Sequence, residues 1–146
     1  MPHSSAKVDE IMNKEVFTVD FDDNIKKADD IMKREKVRRV PVVEADGKYI
    51  GLITERTLLE YTLRHIYEFD EDQVEVGYNK ISEFENLMTK NSHLIYPEDS
   101  IVKAVEIMTK KRVDYLIVVD WEKRIKGIIT AMDILMYIQS KYLQPN

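Results

Sequence analysis

The chain repeats itself. Offset by 76 residues, the separation of Gly51 from Gly127, its two halves align without a gap. Met12/Met88, Asp23/Asp99, Ile25/Ile101, Ala28/Ala104, Ile31/Ile107 and Met32/Met108 coincide. So do Val37/Val113, Val42/Val118, Val43/Val119, Gly51/Gly127, Ile53/Ile129 and Thr54/Thr130. Apolar positions, a glycine and a threonine held in one register require an internal duplication. With two copies the chain is a pseudo-symmetric pair rather than a solenoid.

Each copy reads the same way. A short helix is expected near 8–12 and near 81–88, followed by a short strand at 16–19 and at 92–95. Ile25, Ala28, Ile31 and Met32 then fall at helical spacing, as do Ile101, Ala104, Ile107 and Met108. Asp23 and Asp99 suit the starts of these helices. Apolar runs at 40–43 and 49–53 flank the turn signal Ala45-Asp46-Gly47; those at 116–119 and 125–129 flank Asp120-Trp121-Glu122-Lys123. Helices at 54–65 and 130–142 close the copies. The expected fold class is α/β (α+β), with a small three-stranded sheet and flanking helices in each copy. A sheet of that size is not stable alone, so the two are expected to pack together. The boundaries read as repeat 1 at 7–67, an acidic linker at 68–80 and repeat 2 at 81–142, together one module.

Composition narrows the function. A net charge of -5 argues against nucleic acid or anionic lipid as partner. No apolar run reaches the ~18 residues of a membrane span, and residues 1–6 carry no apolar signal core, so a cytoplasmic location is expected. Absence of cysteine excludes disulfides, thiolate catalysis and cysteine-ligated metals. His3, His65 and His93 share no metal-ligand spacing, so no metal is expected. No nucleophile–base pair or catalytic carboxylate pair is evident, and the chain is not expected to be an enzyme. Lys110-Lys111-Arg112 reads as a helix C-terminus. Trp121 is large for a turn and is a candidate for packing on a dimer partner.

The chemistry concentrates at two strand-to-helix turns. Gly127-Ile128-Ile129-Thr130-Ala131-Met132-Asp133 places a glycine for a tight backbone, a threonine at the N-cap and an acid three residues on. That is the pattern of a capping box, whose cap contributes about 1 kcal/mol. The same helix start also presents unpaired N–H groups that suit a phosphate, beside a carboxylate that suits a ribose diol. The first copy, Gly51-Leu52-Ile53-Thr54-Glu55-Arg56-Thr57, keeps the glycine and the threonine but has Thr57 in place of the acid. A cap needs only the threonine, so Asp133 points to the ribose.

Further residues carry a resemblance. Val37-Arg38-Arg39-Val40-Pro41-Val42-Val43 with Gly47-Lys48-Tyr49-Ile50-Gly51-Leu52-Ile53-Thr54 resembles a CBS repeat. So does Val113-Asp114-Tyr115-Leu116-Ile117-Val118-Val119-Asp120 with Lys126-Gly127-Ile128-Ile129-Thr130 and Asp133. The similarity spans about residues 7 to 142, and the chain resembles a stand-alone tandem CBS pair, or Bateman module. The resemblance implies a regulatory, energy-sensing module that binds an adenine nucleotide, AMP above ADP or ATP, in clefts between the repeats. It also implies a homodimer and a regulated partner protein whose identity the sequence does not give.

By the same resemblance the main cleft draws on Glu15, Phe17, Val37, Arg38, Asp114, Tyr115, Thr130, Met132 and Asp133. Thr130, Met132 and Asp133 would meet phosphate and ribose, and Phe17 the adenine. Tyr115 stands where a phosphate-binding arginine is common. A second cleft would use Arg38, Arg39, Thr54, Arg56, Thr57, Asn91, His93, Val113 and Asp114. It is degenerate, because Thr57 replaces the ribose acceptor. Two alternatives are a structural interaction or dimerisation module without ligand, and a module for another adenosyl compound such as S-adenosylmethionine or NAD.

Overall fold

The computed structural model describes residues 6–68, 81, 88–89 and 93–143, with backbone only at 64–68. Helix α1 (Val8–Ile11) is followed by β1 (Val19–Asp20), α2 (Ile25–Glu35), β2 (Arg39–Val43), β3 (Tyr49–Thr54) and α3 (Glu55–Glu68). Then come β4 (Leu94–Ile95), α4 (Ile101–Lys111), β5 (Tyr115–Val119), β6 (Ile125–Thr130) and α5 (Ala131–Tyr142). Each copy forms one mixed three-stranded sheet, in the orders β1-β2-β3 and β4-β5-β6. The first pair in each sheet is parallel and the second antiparallel. The fold is therefore α+β, with helices flanking two small sheets.

The chain divides into two compact units that exchange their opening segments. One holds Phe17–Asn91; the other joins Met1–Val16 to Ser92–Asn146. In the first, Val19, Ala28, Ile31, Met32, Val40, Val42 and Ile53 form the buried core with Ile81 and Met88. In the second, Ile95, Ile101, Ala104, Met108, Leu116, Val118, Ile129 and Ile134 gather with Val8 from the opposite end of the chain. Helix α1 is held there by its backbone: Val8 N–H donates to the Asp99 carbonyl at 2.8 Å, and Ile101 N–H to Ala6 at 2.9 Å.

The long helices end alike. Lys36 and Arg112 take the left-handed conformation (φ 54° and 57°) and stop α2 and α4. Val37 N–H then reaches back to the Met32 carbonyl at 3.2 Å, and Val113 N–H to Met108 at 3.0 Å, the six-to-one bond of a Schellman stop. The basic residues Lys110 and Lys111 sit in the last turn of α4, as expected. These stops aim the chain into β2 and β5, and so fix where Arg38 and Asp114 emerge.

Two local expectations are corrected. The caps of α2 and α4 are Asn24 and Ser100, which accept from Lys27 N–H and Lys103 N–H at 3.1 Å each. Asp23 and Asp99 stand one residue earlier and close the preceding turns, accepting from Asp20 N–H at 2.8 Å and Tyr96 N–H at 2.9 Å. Both opening strands begin later than expected, at Val19 and at Leu94, and β1 starts one repeat position later than β4. Pro41 explains the difference: Ile117, its counterpart, donates its N–H to the His93 carbonyl at 3.0 Å, and a proline has none to give. Trp121 has a neighbour within its own unit. It stacks on Tyr96 with ring centroids 4.2 Å apart, though it stays 76% exposed.

Candidate functional site

In the unit that contains α5, one end of the sheet gathers seven of the singled-out residues. Tyr115 opens β5 and is the register partner of Thr130, which closes β6. The Asp114 carbonyl accepts from Ala131 N–H at 2.8 Å, tying the entry of β5 to the first turn of α5. His93 precedes β4 and is joined to β5 through Ile117 N–H. Val113 packs against the core. Met132 is exposed and Asp133 half-buried in the first turn of α5. Glu15 belongs to this unit as well. The opening segment of the first copy runs beside β6, and Asn13 and Ile128 exchange both backbone hydrogen bonds, at 2.9 and 3.0 Å.

At the centre is a complete reciprocal cap. Asp133 N–H donates to Thr130 Oγ1 at 3.1 Å, and Thr130 N–H donates to Asp133 Oδ2 at 2.8 Å. The acid thus completes the capping box that its motif suggested, although Thr57 in the first copy shows that a threonine can cap without it. Oδ2 is committed to that role. Among the described residues Oδ1 accepts no hydrogen bond, so one carboxylate oxygen remains as an acceptor at a helix N-terminus.

The glycine of the motif is also explained differently from the sequence reading. Gly127 lies within β6, not in the turn itself. A Cβ there would stand 2.7 Å from Met12 Sδ and 2.8 Å from the Asn13 carbonyl oxygen. At Gly51 the three atoms nearest the corresponding Cβ all belong to the Met88 side chain, with Cγ at 2.5 Å. Both glycines are required by what packs on the strand.

The other unit repeats the geometry with different chemistry. Arg39 is the register partner of Thr54, and the Arg38 carbonyl accepts from Glu55 N–H at 2.9 Å. Thr54 Oγ1 accepts from Thr57 N–H at 3.1 Å and lies 2.9 Å from Thr57 Oγ1. The Thr57 hydroxyl therefore shares a hydrogen bond with the cap threonine. Arg38 approaches Glu55 at 3.8 Å and Arg56 approaches Glu60 at 3.3 Å, both on the surface. Val37 and Phe17 pack against the core of this unit. Asn91 lies outside the described residues. Among the described residues no group of three or more histidines or carboxylates could hold a metal ion. No helix of the described residues is long and apolar enough to cross a membrane.

Sequence reasoning missed Asn13, which is neither apolar nor charged. Its signal was its place: it follows Met12 as Thr89 follows Met88, and Thr89 exchanges backbone bonds with Leu52 at 3.0 Å each way.

Two duplicated α+β units, each carrying a Gly-x-x-Thr turn into a helix, define a tandem module. The CBS domain family matches this chain twice, over residues 8–64 and 81–140, and the chain belongs to that family as a CBS domain pair. An inosine-5'-monophosphate dehydrogenase of Methanocaldococcus jannaschii is 33% identical over 88% of this chain, which covers 23% of that protein. A CBS domain-containing protein of Dictyostelium discoideum is 31% identical, with 94% of each chain covered. The chain spans between a fifth and a quarter of the length of the first curated relatives it matches.

Solved structures agree on the fold. The CBS domain pair of protein MJ0100, in complex with 5'-methylthioadenosine and S-adenosyl-L-methionine, superposes with a TM-score of 0.74. The two share 23% identity over 94% of this chain and 98% of that one. CBSX2 in complex with AMP gives a TM-score of 0.72 at 17% identity, over 92% and 96% of the two chains.

Proposed function

We infer that this CBS pair is a regulatory module, not an enzyme, that binds an adenine nucleotide, AMP in preference to ADP or ATP. Binding would shift a partner protein in the cytoplasm. The observation that carries this reading is the Thr130–Asp133 turn. Its cap uses Oδ2 of Asp133 and leaves Oδ1 to accept from a ribose hydroxyl, at a helix N-terminus whose positive end suits a phosphate although the Ala131 and Asp133 N–H groups are already engaged. Thr130 and Met132 line the same helix start, Asp114 and Tyr115 come from a segment bonded to it, and Glu15 follows the segment bonded to β6 at Ile128. Phe17, Val37 and Arg38 belong to the proposed contact set on the CBS resemblance alone. The solved complexes of CBS pairs with AMP and with S-adenosyl-L-methionine support an adenosyl ligand as the class.

The second site, at Arg38, Arg39, Thr54, Arg56, Thr57, Asn91, His93, Val113 and Asp114, is weaker for a nucleoside monophosphate. Thr57 offers a hydroxyl already engaged with Thr54 where the other copy offers a carboxylate. A hydrogen bond to a charged group contributes about 1.5–3 kcal/mol, or roughly tenfold to a hundredfold in affinity. Thermal shift with AMP, ADP, ATP, S-adenosylmethionine and NAD tests the reading. Ligand at about 100 times its Kd should stabilise by roughly 2.7 kcal/mol.

The module is proposed to act as a homodimer. Met132, Leu135 and Met136 are 62%, 57% and 60% exposed, one apolar stripe along α5. At the corresponding positions of the first copy stand Arg56, Leu59 and Glu60. The same stripe favours the alternative of an interaction module whose clefts hold nothing, which the thermal shift decides.

A further inference from the structure

Nothing in the CBS resemblance assigned a role to Asn13, yet it sits at the junction between the two parts of the proposed nucleotide site. Its N–H donates to the Ile128 carbonyl at 2.9 Å and its carbonyl accepts from Ile128 N–H at 3.0 Å. This is a closed pair on the strand that ends at Thr130 two residues later. The Asn13 side chain turns the other way along the chain. Its Oδ1 accepts from Glu15 N–H at 3.0 Å. One residue therefore links the strand that delivers Thr130 and Asp133 to the segment that delivers Glu15.

The pair is held in register by packing. Met12, the preceding residue, covers Gly127, and the missing Cβ lets the Asn13 carbonyl approach the strand. Sliding the opening segment along β6 would bring Met12 over a residue with a side chain. The segment therefore has one seat, and Asn13 carries that placement on to Glu15. A short side chain that bonds the amide two residues on fixes the backbone between them.

We propose that Asn13 is a positioning residue for the adenine-nucleotide site, setting where the Glu15 segment lies relative to the Thr130–Asp133 turn. It rests on the function proposed above. Asn13 does not touch the ligand in this account; it acts through Glu15.

The experiment compares the parent chain with Asn13→Ala, which removes the Oδ1 acceptor, and with Asn13→Ser, whose hydroxyl reaches the same amide. Hydrogen exchange of the ligand-free proteins reads the geometry. The Glu15 amide should exchange about fivefold faster in Asn13→Ala and recover in Asn13→Ser, while Ile128 stays protected. Calorimetric titration with AMP reads the function. Asn13→Ala should raise Kd about threefold to tenfold, Asn13→Ser should stay within about twofold of the parent, and Tm without ligand should move by no more than about 2 °C. An unchanged Glu15 amide in Asn13→Ala overturns the proposal whatever the ligand does. AMP bound equally by parent and Asn13→Ala overturns the positioning role alone. A parent that binds no adenosyl compound overturns the proposed function, and the positioning role with it.

Discussion

Met12 Sδ lies 2.7 Å from the point where a Cβ on Gly127 would stand, and the Asn13 carbonyl oxygen lies 2.8 Å from it. The side chain could turn aside, but the backbone could not. At Gly51 the three nearest atoms all belong to the flexible side chain of Met88. Gly127→Ala is therefore expected to cost about 1–3 kcal/mol, by forcing the opening segment off β6, and Gly51→Ala less. Urea unfolding of the two variants measures the difference, and Gly51→Ala proving the more damaging would contradict the packing account.

Thr57 can be made into the acid that the second copy has. In Thr57→Asp a carboxylate at the third position of α3 would accept from Thr54 N–H, as Asp133 accepts from Thr130 N–H. It would also face the positive end of the helix. We expect a gain of about 0.3–1 kcal/mol in thermal or urea unfolding. We also expect the AMP stoichiometry to rise from one site toward two. A gain in stability without a second binding event would confine Thr57 to capping.

The single tryptophan reports on a turn held by one carboxylate. Asp120 Oδ1 accepts from Glu122 N–H at 2.8 Å and Arg124 N–H at 3.0 Å. The bond from Arg124 does most to hold the carboxyl below the ordinary aspartate range; burial opposes it, and the bond from Glu122 and the charges of Lys126 and Arg124 add to it. A depressed folded value means that Asp120 contributes stability above the unfolded value of about 3.9, lost as pH falls through the folded value. Trp121 emission should therefore stay flat from neutral pH to about 4 and change only below it. In Asp120→Asn, whose amide oxygen can still accept both bonds, that step should vanish. Its persistence would place the titrating group elsewhere.

The apolar stripe on α5 makes a prediction about assembly. Leu135→Glu and Met136→Glu place charges in the centre of the stripe, away from Thr130 and Asp133. Sedimentation should show the parent as a dimer and these variants shifted toward monomer, with far-ultraviolet circular dichroism unchanged. A parent that sediments as a monomer at every concentration contradicts the homodimer.

The 76-residue offset made most of the fold legible, because local patterns could be checked against a second copy. Helices α2 and α4 follow from Ile25 to Met32 and Ile101 to Met108, and β2, β3, β5 and β6 from apolar runs around turn residues. What stayed hidden depended on partners distant in sequence. Nothing near Gly127 says that Met12 will cover it, and nothing near Trp121 names Tyr96. The late start of β1 was written in Pro41, whose missing N–H matters only once the parallel partner is known. At the site, the threonine caps were legible. The reciprocal bond of Asp133 was weighed and then undervalued, because Thr57 showed that a cap could do without it.

The most direct test is a calorimetric titration of AMP into the parent, Asp133→Ala and Thr57→Ala, with urea unfolding of each as a control for lost capping. The account predicts one principal site in the parent, weakened roughly tenfold to a hundredfold by Asp133→Ala and changed less than about threefold by Thr57→Ala. Equal losses in the two variants, or a parent that binds none of AMP, ADP, ATP, S-adenosylmethionine and NAD, would contradict it.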